Sequence, residues 1–293
     1  MTGTVLVLGA SGHFGSNAAQ EFATAGWQVR RWRRGTDMAA AAKGADLIVN
    51  ALNPPNYHDW ARLIPAITAD VIAAAKASGA TVLVPGNVYV YGREPGPWGP
   101  ETPQRPVARK GRIRSEMEAA YRAATGEGVR VILLRGGDFI DPASEKSFLN
   151  MLVLKGVPKG KITAFGPPDV GRAYAYLPDM TRAAVALAER RADLPAFADI
   201  PFPGFAFSTL DLKRLVEAET GRSMRLSRFP WWLMRLASPF WELARELMEM
   251  RYLYETPHEL SGETFARLLP DFRHTPLEEV IAAHPPVQAA KRG

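Results

Sequence analysis

The residues from Thr4 to Gly26, TVLVLGASGHFGSNAAQEFATAG, constrain this chain more than any other stretch. The aliphatic and β-branched run Thr4 to Leu8 predicts a short buried parallel strand. Gly9, Gly12 and Gly15 follow it at equal spacing. The residues after them have helical periodicity, and Gly26 stands where a C′ glycine ends a helix. A strand, a glycine turn and a helix start in that order bring free backbone N–H groups and the positive end of a helix dipole to one point, which suits phosphate. Gly9 allows the tight turn, Gly12 lets a pyrophosphate approach the backbone, and Gly15 lets the helix pack close to the sheet. Ser11, His13 and Phe14 fill the same loop. Ala51, at the end of a later strand, stands with them as a candidate cofactor contact.

The segments that follow keep alternating. WQVRRWRR reads as a strand, the residues after Thr36 as a short helix, Asp46 to Ala51 as a strand, and Asn56 to Ser78 as a long helix that Gly79 ends. TVLVPGNVYVYG reads as a strand leading into a Pro/Gly-rich loop that runs to Pro106. ARKGRIRSEMEAAY starts a helix, and VRVILLRGGDF is another buried strand. The alternation predicts an α/β fold, a Rossmann-type doubly wound parallel sheet. The stretch from Gly35 to Ala45 is short for a further strand and helix, so the adenine side of a dinucleotide site is expected to be trimmed.

After Asp141 the alternation loosens. FADIPFPGFAF reads as one more strand, and Thr209 to Thr220 as a helix capped by Ser208 or Thr209. Pro230 to Glu255 is amphipathic and carries Trp231, Trp232 and Trp241. That segment reads as a lid over a cleft, as an interfacial anchor weakened by Glu242, Glu246 and Glu249, or as ordinary packing. The expected division is a nucleotide-binding domain over 1–175 and a smaller, mostly helical substrate lobe over 176–293, interleaved with the core.

The chain has no cysteine, which excludes disulfides, thiolate metal sites and cysteine nucleophiles. That fits a reducing cytoplasm. The start Met1-Thr2-Gly3-Thr4 lacks the pattern of a signal peptide, and no apolar run reaches the ~20 residues of a membrane helix. A cytoplasmic protein without a membrane role is therefore expected. The histidines at 13, 58, 258, 274 and 284 lack metal-ligand spacing, so no metal is expected. A net charge of +6 suits anionic partners, but no nucleic-acid recognition module is present. The expected partner is a small molecule, an anionic one included, and a homodimer is an assembly open to the chain.

The end of the second strand speaks to the cofactor. NAD binders place an acid there for the ribose hydroxyls, whereas a basic residue suits the 2′-phosphate of NADP. Here it reads Arg30-Arg31-Trp32-Arg33-Arg34, with no acid before Asp37. Arg33 and Arg34 are the candidates for the phosphate, and NADP(H) is favoured over NAD(H).

VLVLGASGHFG resembles the N-terminal motif of the short-chain dehydrogenase/reductase superfamily, most closely its extended branch, the NAD-dependent epimerase/dehydratase family. VLVPGNVYVYG, VILLRGGDFIDP and RAYAYLPDMTRAAVALAE are similar to later signals of that family, so the resemblance covers Val5 to Glu189. It implies a Ser or Thr, a Tyr and a Lys four residues after the Tyr, which together move a proton while hydride passes to or from a nicotinamide. Here the aligned positions hold Asn87, Lys110 and Arg114. All three depart from the family pattern.

Asn87 retains hydrogen-bonding capacity, and Arg114 can hold a ribose hydroxyl. Lys110 and Arg114 share a helix face, so a neighbouring guanidinium and burial would both favour a neutral lysine able to act as acid or base. Tyr89 and Tyr91 are fallback acids if the strand continues through them. Two further readings of the charged helix stand beside this one: a solvated face, and an anion site with Arg109 and Arg112. For the whole chain the readings are an NADP(H)-dependent oxidoreductase, epimerase or dehydratase acting on a small carbonyl or hydroxyl compound, or an inactive NADP(H)-binding sensor.

Overall fold

A computed structural model of the chain describes residues 3–292. The alternation read above folds as strands β1 (Thr4–Leu8), β2 (Gln28–Arg31), β3 (Leu47–Asn50), β4 (Thr81–Gly86) and β5 (Val131–Arg135). Between them run helices α1 (His13–Thr24), α2 (Met38–Ala42), α3 (Trp60–Ser78) and α4 (Arg109–Ala124). Further along come β6 (Asp138–Ile140), β7 (Lys161–Ala164), β8 (Arg172–Tyr176), α5 (Leu177–Glu189), β9 (Phe197–Pro201), β10 (Phe205–Phe207), α6 (Thr209–Thr220) and β11 (Arg225–Arg228). Helices α7 (Trp231–Ala237) and α8 (Glu242–Met250) follow, and three short helices close the chain.

Six parallel strands form the main sheet in the order β2-β1-β3-β4-β5-β9. Their side chains are apolar on both faces because helices cover both. One layer packs Phe14, Phe22, Leu177 and Met180 against the sheet, and the other packs Trp60, Ile64, Met117 and Tyr121. The chain leaves β1 toward β2 on one side, and β3 joins on the other, which makes a switch point with a crevice at the carboxyl ends of the strands. Outside β2 no further strand pairs among the described residues, and only the five-residue α2 fills the stretch before β3. The trimmed adenine side expected from the sequence is present.

Three expectations shift. The helix predicted from Asn56 begins at Trp60, because Asn56, Tyr57 and Asp59 all take positive φ after Pro54-Pro55. The strand predicted through Tyr91 stops at Gly86, where the Asn87 side chain accepts the backbone N–H of Tyr89 at 3.1 Å and turns the chain. FADIPFPGFAF splits at Gly204, which has φ of 50°. Its first half is β9 of the main sheet, and its second half, β10, joins a separate sheet of order β10-β8-β6. The core reaches forward to β9, and the lobe reaches back to β6 and β7. Ser208 caps α6 in a reciprocal box with Asp211.

Candidate active site

The glycine loop is built as its spacing requires. Gly9 has φ of 75°, and a Cβ there would lie 2.7 Å from the Ala51 carbonyl oxygen. A Cβ on Gly15 would overlap the Gly9 carbonyl. Gly12 caps α1 with no side chain bonded to the helix, and the first turn holds no acid. The first N–H groups of α1 therefore keep their capacity for an anion.

A cleft of about 610 Å³ opens there, lined by Gly12, His13, Phe14, Ala51, Asn87, Tyr89 and Arg114 among others. The fit to a dinucleotide rests on that cradle and on Arg114. This arginine is buried over the Trp60 ring at 4.8 Å, and its Nη2 donates to the Asn53 Oδ1 at 2.8 Å. Its Nε has no acceptor among the described residues, and burial pulls its pKa below the usual guanidinium value. Arg33 and Arg34 lie exposed just past β2, in no ion pair among the described residues. The nearest acid in sequence, Asp37, caps α2 by accepting the N–H of Ala40 at 3.1 Å.

Asn87 sits half-buried at the end of β4. Its backbone carbonyl accepts from the Arg135 guanidinium at 2.7 Å. Arg135 is itself fully buried between Glu118 of α4 and Asp199 of β9, so three elements fix the turn that presents Tyr89.

The structure corrects the reading of Lys110. The residue does not line the cleft, and Arg114 is not its main electrostatic neighbour. Only 1% exposed, it donates to Glu246 and, at 2.7 Å, to Glu249, both on α8. Its partners are thus two carboxylates of α8, not a substrate oxygen in the cleft. Arg109 adds a 2.7 Å bond to Glu246. The charged helix face is thus neither idle nor an open anion site at these positions: it fastens α4 to α8. Glu246 is held below the usual carboxylate range by Lys110 and Arg109, against a burial that pushes it up.

Tyr89 does line the cleft. Its hydroxyl lies 3.2 Å from the hydroxyl of Tyr57, a residue not singled out from the sequence. Tyr91 turns away to donate to the Gly99 carbonyl at 3.2 Å, and Tyr121 packs in the core against Asn50. Burial raises both Tyr57 and Tyr89, the latter well above the ordinary tyrosine value, and the Asp138 carboxylate pushes the same way.

A second cavity of about 570 Å³ adjoins the first. His13, Tyr57, Tyr89, Asp138 and Phe139 line both, so the tyrosine pair stands where the two spaces meet. Arg172 of β8 pairs with Asp138 of β6 at the inner end, below the Tyr254 ring. Tyr57 was hidden in a stretch read as helix. Arg172 and Asp138 were hidden because β6 and β8 are neighbours only in the folded sheet. The alternation in RAYAY was the one available signal. No group of acids and histidines able to hold a metal occurs among the described residues, and no helix there is long and apolar enough to cross a membrane.

No protein-family model and no curated protein sequence matches the chain. Solved structures match over nearly its full length. MoeE5 in complex with UDP-glucose and NAD is similar with a TM-score of 0.77 at 18% identity, covering 99% of each chain. UDP-glucuronic acid 4-epimerase from Bacillus cereus, in complex with UDP-glucuronic acid and NAD, gives 0.77 at 15% identity over 99% of each chain. The NAD-dependent NDP-hexosamine 5,6-dehydratase TunA gives 0.74 at 15% identity over 100% of this chain and 99% of that one. These likenesses show the fold. It is an α/β architecture with a parallel central sheet flanked by helices.

Proposed function

We propose that this chain is a nicotinamide-dinucleotide-dependent oxidoreductase that reduces a carbonyl compound, with the Tyr57–Tyr89 pair as its proton donor. The observation that carries the reading is the 3.2 Å contact between the two hydroxyls at the junction of the cleft and the cavity. The glycine cradle, the start of α1 and Arg114 would hold the dinucleotide. The related structures bound to NAD support a nicotinamide cofactor in this fold. The preference for NADPH rests on this chain's own residues, because Arg33 and Arg34 make no ion pair among the described residues and Asp37 is committed to a helix cap.

When bound, the reduced nicotinamide supplies a hydride to the carbonyl carbon. One tyrosine hydroxyl donates a proton to the carbonyl oxygen, and the second hydroxyl hydrogen-bonds to the first and shares the charge left behind. Raised pKa values keep both tyrosines protonated at neutral pH, so they serve as acids and not as bases. Arg114 steadies charge on Tyr57. Asn87 retains an amide group at the mouth of the cleft to orient the oxygen.

The test is NADPH oxidation with a panel of ketones and aldehydes, run beside a cofactor titration. Tyr89→Phe and Tyr57→Phe should each lower turnover by about 100-fold or more while leaving NADPH affinity unchanged. Full turnover in both variants refutes the proton-donor assignment. Absence of NADPH and NADH binding refutes the cofactor reading.

A further inference from the structure

The second cavity differs in chemistry from a site for a sugar nucleotide. We infer that it takes an apolar carbonyl compound, a long-chain or aromatic ketone or aldehyde, with its oxygen at the tyrosine pair. This inference rests on the proposed reductase reading and specifies its substrate class.

A nucleoside diphosphate brings at least two negative charges, and proteins meet these with arginines, lysines or helix starts. Arg172 is the one lysine or arginine among the residues lining the cavity. Its charge is already spent, since its guanidinium pairs with Asp138 and stacks over the Tyr254 ring at 4.2 Å. Asp141 adds a further carboxylate to the same end, against the His13 ring at 3.3 Å. The polar end of the cavity is therefore neutral to negative and repels a diphosphate. It still offers hydroxyl donors to a neutral carbonyl oxygen.

The rest of the wall is apolar. Phe165, Phe229 and Trp231 pack edge and face, with ring centroids 4.2 Å apart for the first pair and 4.9 Å for Phe229 and Trp231. Trp231 is pinned by donating its indole N–H to the Phe165 carbonyl at 2.7 Å. Leu243, Leu247 and Met250 line the cavity from α8. The apolar surface does not stop at the mouth. Leu152 and Trp241 line the cavity and also reach solvent, and beside Trp241 in the chain Phe240 is 94% exposed. An apolar patch continuous with an apolar cavity is the entry expected for a ligand that leaves water readily.

The test uses methyl pentyl, methyl heptyl and methyl nonyl ketone as probes, with quenching of the cavity tryptophans as the binding signal and UDP-glucose as the competitor. Each step adds two methylenes. Burial in a dry apolar cavity should tighten binding by about fifteenfold per step. UDP-glucose should neither quench nor displace the longest ketone. Leu247→Glu should abolish ketone binding and leave NADPH affinity unchanged. If that variant does not fold, Leu152→Arg at the partly exposed rim should weaken the longest ketone at least tenfold. A flat series, or displacement by UDP-glucose, overturns the inference. The two readings fail separately. Ketones that bind but turn over equally well in Tyr57→Phe and Tyr89→Phe defeat the proton-donor assignment alone. Ketones that fail to bind a protein that still binds NADPH defeat the substrate class alone.

Discussion

The ammonium of Lys110 lies 2.7 Å from a carboxylate oxygen of Glu249 and bonds to Glu246 as well, so α4 is tied to the helix that walls the apolar cavity. The lysine stands where the resemblance places a catalytic tyrosine, and it pairs with α8 while its Nζ lies 5.0 Å from the centre of the Tyr57 ring. Lys110→Met leaves buried Glu246 with the Arg109 hydrogen bond and the more distant Arg245 at 3.8 Å as its cationic partners among the described residues. The expected cost is about 3 kcal/mol of stability, read by urea unfolding. Combining it with Glu246→Leu should recover part of that loss, because the stranded charge goes with its partner. NADPH affinity should be unchanged in the folded single variant. A variant as stable as the parent and devoid of turnover would restore the catalytic reading.

The glycine loop gives a sharper local test. Gly15→Ala drives a methyl into the Gly9 carbonyl, which is backbone and cannot swing aside. The helix start must shift, at a cost of about 1–3 kcal/mol. NADPH affinity should fall at least tenfold, by fluorescence titration. Gly126→Ala, where a Cβ meets nothing within 4 Å and φ is not positive, should leave cofactor affinity unchanged.

What could be read early and what could not follows from sequence distance. The loop from Gly9 to Gly15 was legible because strand, turn and helix start are contiguous, and so was the Ser208 cap, whose partner Asp211 is three residues away. The Lys110 clamp was not legible, since Glu246 comes 136 residues later and nothing local marks it. The Tyr57–Tyr89 pair was half legible. Tyr89 was a named fallback, whereas the positive φ values around Tyr57 broke the helix that its apolar spacing had suggested. Motif alignment points to Lys110 on α4, whereas β4 ends at Gly86 and the turn after it places Tyr89 on the cleft, which no local pattern marks.

The proposed preference for NADPH is tested at the end of β2. Replacing Arg33 and Arg34 together with alanine removes two exposed guanidinium groups that make no ion pair among the described residues. Charge-assisted hydrogen bonds contribute about 1.5–3 kcal/mol each, so losing both should weaken NADPH binding by about 150-fold or more, with NADH little changed. Equal losses for both cofactors, measured in parallel titrations, would remove the 2′-phosphate argument and leave NAD as the cofactor.

Acid should weaken the fold through its buried histidines. His258 stacks on Trp98 with ring centroids 4.7 Å apart, and its Nδ1 lies 2.7 Å from the Thr256 carbonyl. Burial lowers His258 from 6.5 to about 4, and His284 likewise. Nearby Arg172 pushes His258 further down, while the Thr256 carbonyl and Asp138 push it back. The folded pKa lies below the unfolded one, so the unfolded chain takes up protons first as pH falls. The stability is therefore present above pH 6.5 and is lost as pH drops through about 4. Linkage sets the loss at up to about 3 kcal/mol for each histidine. Carboxylates such as Glu246 weaken the fold at still lower pH, so the slope of the parent alone is ambiguous. His258→Phe keeps an aromatic ring against Trp98 and cannot titrate. Its urea midpoint should fall less steeply than the parent's between neutral pH and about 4.5, and parallel curves would show that His258 does not titrate in this window.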